Sequence, residues 1–252
     1  MTFFEAILLG IIQGLTEFLP ISSSGHLVLF QSWLNISIEG NTFEVIVHIG
    51  TLGSILFVFW EDVYTILKNL TKRETQFQVG TLALATIPAV LVGFTLKDYF
   101  EILFDNTTSV SIALMVTGVI LFISKFAKQN NSSITWKSGL LIGLAQAIAI
   151  IPGISRSGFT ISAALLLGKN SREAARFSFL LAIPVITGAG LLTAMDGLNG
   201  ESFPIPILLG GLLSSFIIGV FALQWLIQWL ESGKYYWFGA YCMVIGLTTW
   251  IF

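Results

Sequence analysis

The sequence predicts an all-α, multi-pass membrane protein with six transmembrane helices and two re-entrant helix pairs, arranged as inverted-topology repeats. Hydrophobic residues make up 55% of its 252 residues and charged residues only 10%, against about 25% charged residues in soluble domains. Six apolar stretches are long enough to cross a bilayer. Two others are apolar but interrupted by glycine, proline and serine. This composition excludes a soluble protein, and the net charge of −2 leaves no basic surface for nucleic acid.

Each predicted crossing supplies the roughly 20 apolar residues that a hydrocarbon core requires. The crossings lie near 43–60, 78–96, 108–126, 177–195, 205–230 and 235–252. The interrupted stretches run over 3–34 and 139–167, with breaks at 20–25 and 152–158. Irregular backbone at membrane depth is tolerated only where protein buries it or where it lines a wet cavity. Both interrupted stretches are therefore predicted to be re-entrant.

The distribution of charge supports this topology. Ten of the twelve basic residues fall in one set of loops: Lys68, Lys72, Arg73, Lys125, Lys128, Lys137, Lys169, Arg172, Arg176 and Lys234. The opposite loops hold Lys97 beside five acidic residues, Asp98, Glu101, Asp105, Asp196 and Glu201. By the positive-inside rule the first set is cytoplasmic, and both termini are expected on the outer side of the membrane.

The chain is predicted to be one membrane domain made of two repeats, approximately 1–126 and 136–252. Each repeat consists of a re-entrant pair followed by three crossings. The first pair enters from the outside and the second from the inside, so the repeats are inverted. Broken helices in inverted repeats usually form a site near the midplane of the membrane.

The first break carries groups that can perform chemistry. Gln13 and Glu17 are four residues apart and share one helix face. That face leads into three serines and a histidine, namely Ser22, Ser23, Ser24 and His26. These groups can supply a base or metal ligand, a nucleophile and a proton carrier. The alternative is that they only form a tight turn, but a carboxylate in an apolar segment is costly unless it is compensated, which favours a function for Glu17.

The second break is suited to binding an anion. Arg156 is a permanently charged fork of donors that matches phosphate oxygens. Hydroxyls surround it, at Ser155, Ser157 and Thr160, and a helix expected to start after Gly158 would add backbone N–H groups. The alternative is a purely structural ion pair between Arg156 and Glu17. Phosphoryl transfer needs little beyond positioning and charge stabilisation, which these breaks together can supply.

Other polar residues give weaker signals. Glu44 and His48 lie one turn apart in the first crossing and could form a metal or proton pair. Such residues more often hydrogen-bond between helices, and this is the favoured interpretation for His48.

The two breaks resemble the motifs of a known family. Residues 13–26, Gln-Gly-Leu-Thr-Glu-Phe-Leu-Pro-Ile-Ser-Ser-Ser-Gly-His, and residues 152–160, Pro-Gly-Ile-Ser-Arg-Ser-Gly-Phe-Thr, are similar to those of the bacterial undecaprenyl-diphosphate phosphatases, the bacitracin-resistance family. The resemblance implies hydrolysis of undecaprenyl diphosphate to undecaprenyl phosphate, which recycles the lipid carrier of peptidoglycan synthesis and gives tolerance to bacitracin.

The resemblance also implies roles for individual residues. Glu17, Ser23, His26 and Arg156 match the family's active site. The supporting substrate contacts would be Gln13, Ser22, Ser24, Ser155, Ser157 and Thr160. The family uses a divalent cation such as Mg²⁺ or Ca²⁺, for which Glu17 and Gln13 are the candidate ligands. Whether Ser23, His26 or an activated water attacks phosphorus stays open.

Two other classes of function compete with the phosphatase. Inverted repeats with broken helices are the usual plan of transporters, so a transporter or flippase is the main alternative. A structural scaffold explains Glu17 and Arg156 poorly. The expected partners are a polyprenyl diphosphate and the lipid bilayer, and the sequence leaves a homodimer open.

Overall fold

The computed structural model describes residues 1–36, 42–96, 99, 103, 106–130, 132–195 and 203–251. Within these ranges the chain forms eleven helices and no strands. The helices are α1 (Phe3–Phe18), α2 (Ser23–Trp33), α3 (Thr42–Val58), α4 (Trp60–Lys68), α5 (Arg73–Thr95), α6 (Thr107–Ser124), α7 (Trp136–Ile148), α8 (Arg156–Leu166), α9 (Ser171–Met195), α10 (Ile205–Glu231) and α11 (Trp237–Ile251).

Four of the predicted crossings are long apolar helices. They are α5, α6, α9 and α10, each with at least 18 residues of membrane-compatible composition. The chain is therefore a multi-pass membrane protein. The acidic residues assigned to the outer loops, and Lys97 with them, lie outside the described residues.

The other two predicted crossings differ from simple spans. The stretch 43–60 corresponds to α3 and ends where the chain bends by 74° into α4. The bend follows from polarity, because α4 carries Glu61, Asp62 and Lys68 and has no buried residue. The last crossing is α11, whose 15 residues span only about 22 Å at 1.5 Å per residue, less than the roughly 30 Å of a hydrocarbon core.

The polarity of the fold is that of a membrane protein. Large apolar side chains lie exposed along the outer faces of the helices, among them Leu91 and Phe94 on α5 and Phe221 on α10. Polar side chains such as Gln13 and Thr51 are instead fully buried. Lipid solvates the apolar exterior, and hydrogen bonding inside the bundle satisfies polar groups.

Small residues allow the helices to approach closely. A Cβ added at Gly10 of α1 would lie 2.6 Å from the carbonyl oxygen of Gly211 on α10. One added at Gly143 of α7 would lie 2.3 Å from the carbonyl oxygen of Ala85 on α5. Side chains at either glycine would push these helices apart, and α1 with α7 hold the two breaks in place.

Candidate active site

The first break is a sharp turn between α1 and α2. Ser22 caps α2, with its Oγ accepting from the Gly25 N–H at 3.3 Å. Its φ of 70° lies in the left-handed region that non-glycine residues rarely occupy. Such strain persists only where surrounding contacts enforce it, and it is common at functional sites.

The second break repeats this cap. Ser155 Oγ accepts from the Gly158 N–H at 3.1 Å, and α8 begins at Arg156. The expectation that this helix starts after Gly158 is therefore wrong by three residues, because the capping serine stands earlier. Thr117 of α6 holds the break from outside, since its Oγ1 accepts from the Ser155 N–H at 3.1 Å and donates to the Gly153 carbonyl at 3.3 Å.

The two breaks pack directly against each other. Ser157 Oγ donates to the Leu19 carbonyl at 3.3 Å, which joins the second break to the first. Tyr235 donates to the Ser157 and Gly158 carbonyls from the start of α11. The N-termini of α2 and α8 consequently lie beside one another, and helix N-termini favour anions.

Glu17 is the hub of the polar contacts at this junction. Its Oε2 accepts from Ser23 Oγ at 2.6 Å and from Gln13 Nε2 at 3.0 Å. Its Oε1 pairs with the guanidinium of Arg156. The carboxylate is only 7% exposed, so the ion pair and hydrogen bonds compensate the cost of burying it.

His48 of α3 also reaches this hub. Its Nε2 lies 3.8 Å from Glu17 Oε2. Its Nδ1 donates to the Glu44 carbonyl at 2.7 Å, because a carbonyl oxygen can only accept. In the neutral ring the Nε2 lone pair therefore faces Glu17. The sequence predicted a hydrogen bond between helices for His48. In the structure its Nδ1 bonds within α3, and its Nε2 approaches Glu17 of α1.

His26 lies on the far side of the first break. Its Nδ1 donates to the Ser22 carbonyl at 2.8 Å, and its Nε2 lies 2.9 Å from the Tyr241 hydroxyl of α11. The two rings are stacked, with an interplanar angle of 13°. Both ring nitrogens are thus engaged, and His26 supports the strained Ser22.

The site residues open onto a cavity of about 500 Å³. Glu17 and Arg156 line it together with hydroxyl, carboxyl, imidazole and carboxamide groups, namely Thr16, Ser22, Ser23, Ser24, Glu44, His48, Gln146 and Ser155. The remaining wall is apolar and includes Ala89 and Gly93 of α5 and Val185, Ile186 and Ala189 of α9. A polar end with an apolar wall fits a ligand with a charged head and a hydrocarbon chain.

The other predicted contact residues lie behind this wall. Gln13 donates a hydrogen bond to Glu17, and Ser157 donates one to the Leu19 carbonyl beside the first break. Thr160 Oγ1 donates to the Arg156 carbonyl at 2.8 Å and lies 2.6 Å from Ser178 Oγ on α9. These three residues position the groups that face the cavity.

Sequence reasoning gave little or no weight to three cavity residues. The sequence gives a weak signal for His48, a somewhat stronger one for Glu44, which follows the first break directly, and none was drawn for Gln146. Their i, i+4 spacing was visible for the first two, but their approach to Glu17 depends on how α3 packs. For Gln146 the available signal was its place nine residues before Ser155, as Gln13 stands nine residues before Ser22.

The donor set fits a divalent cation of the Mg²⁺ or Ca²⁺ type. Gln13 Oε1 is a buried oxygen without a hydrogen-bond partner in the part of the chain that the structure describes, and the same side chain contacts Glu17. Across the described residues, no group of three or more His, Cys, Asp or Glu side chains could hold a metal. Mg²⁺ typically uses one or two protein oxygens and takes its other ligands from water and substrate phosphates.

The family model described as bacitracin resistance protein BacA matches residues 6–248. Curated relatives named undecaprenyl-diphosphatase match over nearly their whole length. The Christiangramia forsetii protein is 41% identical, covering 100% of this chain and 98% of the relative. The Halothermothrix orenii protein is 42% identical, with coverage of 98% and 96%. The Bacteroides fragilis protein is 39% identical, with coverage of 99% and 97%.

Proposed function

The chain belongs to the BacA family of bacitracin resistance proteins, and we propose that it hydrolyses undecaprenyl diphosphate to undecaprenyl phosphate and inorganic phosphate. This activity returns the lipid carrier to peptidoglycan synthesis. It also lowers the amount of the diphosphate lipid that bacitracin sequesters. The proposal therefore assigns the protein to the bacterial cytoplasmic membrane, with a polyprenyl diphosphate as substrate.

One observation of the site supports this activity most strongly. Glu17, Ser23 and Arg156 face one cavity, and both Ser23 and Arg156 contact the same carboxylate. A hydroxyl bonded to a carboxylate is an activated nucleophile. A guanidinium and two helix N-termini beside it form a phosphate-binding surface. The apolar wall is suited to the first isoprene units of the lipid.

Ser23 is the nucleophile in this proposal. Its Oγ forms a bond to the terminal phosphorus while its proton passes to Glu17 Oε2, 2.6 Å away. The bond between that phosphorus and the bridging oxygen breaks, and undecaprenyl phosphate leaves. Water then hydrolyses the phosphoserine and releases inorganic phosphate. His26 supports Ser22 and does not attack, since both its nitrogens already have partners.

Arg156 neutralises the charge that accumulates on the diphosphate. Its guanidinium pairs with Glu17 before substrate binds, and the planar fork can bond to carboxylate and phosphate oxygens alike. Ser22, Ser24 and Ser155 add hydroxyl contacts from the same cavity wall. Gln13, Ser157 and Thr160 position these groups from behind.

Glu17 at the cavity and Gln13 behind it would hold the divalent cation. When bound, such a cation neutralises phosphate charge and so lowers the cost of phosphoryl transfer. The residues around it would orient the lipid so that its terminal phosphate meets Ser23.

The proposal includes the inverted repeats, approximately 1–126 and 136–252, with both termini outside the membrane. Equivalent helix pairs support it: α1 packs on α10 as α7 packs on α5. The pair α6 and α11 crosses reciprocally. A Cβ at Gly118 would lie 2.8 Å from the Gly239 carbonyl oxygen, and one at Gly239 would lie 2.8 Å from the Gly118 carbonyl oxygen. Such reciprocity is typical of a two-fold relation.

The activity is tested with purified protein in detergent, a C15 or C55 prenyl diphosphate and Mg²⁺ or Ca²⁺. We expect phosphate release that EDTA suppresses and that the Glu17→Gln substitution abolishes. Release that is independent of Glu17 would overturn the assignment of the site. Absence of release from the folded wild-type protein would overturn the activity.

A transport function is the second candidate, favoured by the two broken helices that meet inside the bundle. Reconstitution in vesicles with a fluorescent prenyl diphosphate separates the two. Movement of the intact diphosphate between leaflets without phosphate release would favour transport.

A further inference from the structure

The strongest unexplained feature of the cavity is the side chain of Gln146. It stands on the last turn of α7, lines the cavity and is only 2% exposed. Neither its amide nitrogen nor its amide oxygen has a hydrogen-bond partner among the described residues. Leaving a buried polar group unpaired is destabilising, so such groups in native proteins usually bond to a ligand or to water.

The opposite half of the molecule shows what this amide lacks. Gln13 stands nine residues before the capping Ser22, as Gln146 stands nine residues before the capping Ser155. Gln13 Nε2 donates to the carboxylate of Glu17, one turn further along α1. The residue one turn beyond Gln146 is Ile150, whose aliphatic side chain cannot accept a hydrogen bond. An anionic oxygen is thus present for one glutamine and absent for the other.

We propose that the amide of Gln146 binds an oxygen of the substrate's diphosphate, which takes the place that Glu17 occupies for Gln13. The inference rests on the proposed function and assigns the residue a role in holding the headgroup. Arg156 and Ser155 line the same cavity, so the donor joins a cationic group and a hydroxyl. The other amide atom, an oxygen, can accept from water that accompanies the phosphate.

The Gln146→Met substitution tests this inference, because methionine keeps the length of the side chain and removes the amide. A hydrogen bond to a charged oxygen is worth about 1.5–3 kcal/mol, so KM for a C15 prenyl diphosphate should rise about tenfold to hundredfold, with a smaller change in kcat. Inhibition by inorganic pyrophosphate should weaken by a similar factor. The matched control is Gln224→Met, at an exposed glutamine of α10, which should leave both constants unchanged.

A merely structural role gives the opposite pattern. Removing an unpaired buried amide would then leave KM and pyrophosphate inhibition within twofold of wild type, and that result in a folded variant overturns the inference. Should Gln146→Met fail to fold, Gln146→Glu replaces it. A carboxylate there should repel pyrophosphate, and wild-type inhibition of the folded Gln146→Glu protein would overturn the inference equally.

A measurement without turnover keeps this inference separate from the proposed activity. Inorganic pyrophosphate should raise the thermal unfolding midpoint of the wild-type protein and raise it less in Gln146→Met. If wild type releases no phosphate but shows this difference, the activity fails and the anion site stands. If wild type releases phosphate and the two proteins respond alike to pyrophosphate, only the role of Gln146 fails.

Discussion

The break after α1 and the break after α7 share one pattern of capping hydrogen bonds but carry different side chains. In each, a serine caps the following helix through the N–H three residues later, and its hydroxyl lies 3.2–3.3 Å from that of the serine two residues on. The residue directly after the cap is Ser23 in the first break and Arg156 in the second. Five residues before the capping serine, the first break has Glu17 and the second has Ile150.

This difference explains why neither half contains a complete site. The first half supplies a carboxylate and a hydroxyl, and the second supplies the guanidinium that pairs with that carboxylate. A buried charge without its partner is strongly destabilising. The divided arrangement therefore joins catalysis to the packing of the two halves.

The largest effect is expected from removing the carboxylate of Glu17, which has no counterpart before the second break. Glu17→Gln deprives Ser23 of its proton acceptor, so phosphate release from a prenyl diphosphate should fall by about 10²–10⁴-fold. The matched control is Glu5→Gln on the same helix, which preserves the capping box at Thr2 and should leave release unchanged. A Glu17→Gln protein that is folded and retains more than a tenth of wild-type release would contradict the proposed mechanism.

The next largest effect is expected from changing the guanidinium group of Arg156, which has no counterpart in the first break. Arg156→Lys keeps the charge but removes the bidentate fork, and phosphate release should fall about tenfold to hundredfold. Arg172→Lys, an exposed position at the start of α9, serves as the control in the same assay. Near-normal turnover of Arg156→Lys would show that charge alone suffices and that the fork has no role.

A smaller effect should come from the support of the first break. Tyr241→Phe removes the hydroxyl that contacts His26 Nε2, a loss of about 1 kcal/mol and so about fivefold in phosphate release. Tyr236→Phe, at a tyrosine that stacks on Trp237, provides the comparison. If His26→Ala leaves release unchanged, His26 is excluded from the mechanism. A loss beyond a hundredfold in Tyr241→Phe would instead place His26 in the chemistry itself.

The smallest effect on activity should come from the support of the second break. Thr117→Val removes two hydrogen bonds to the backbone around Ser155. The resulting unpaired groups should lower the free energy of unfolding by about 1–3 kcal/mol. The thermal unfolding midpoint in detergent should drop, with phosphate release changed by less than the Tyr241→Phe substitution changes it. An unchanged midpoint would mean that Thr117 does not hold the break.

The sequence by itself determined the membrane class, the presence of two breaks and most of the polar residues of the candidate site. The reason is that uninterrupted apolar stretches and buried ionisable residues are local signals that water and lipid impose directly. Four long helices confirm the corresponding crossings. The bend between α3 and α4 was missed, because the predicted crossing ends at Trp60, where α4 begins.

Only the tertiary structure decided which residues face one another. Spacing along α1 put Gln13 beside Glu17, but the approach of His48 depends on how α3 packs against α1 and α10. Tertiary packing likewise turned His26 toward Tyr241 and left Gln146 without a hydrogen-bond partner among the described residues. Contacts between residues more than 100 positions apart, such as Glu17 with Arg156, are set by the close approach of helices. The local helix propensity of a sequence does not predict which helices approach each other.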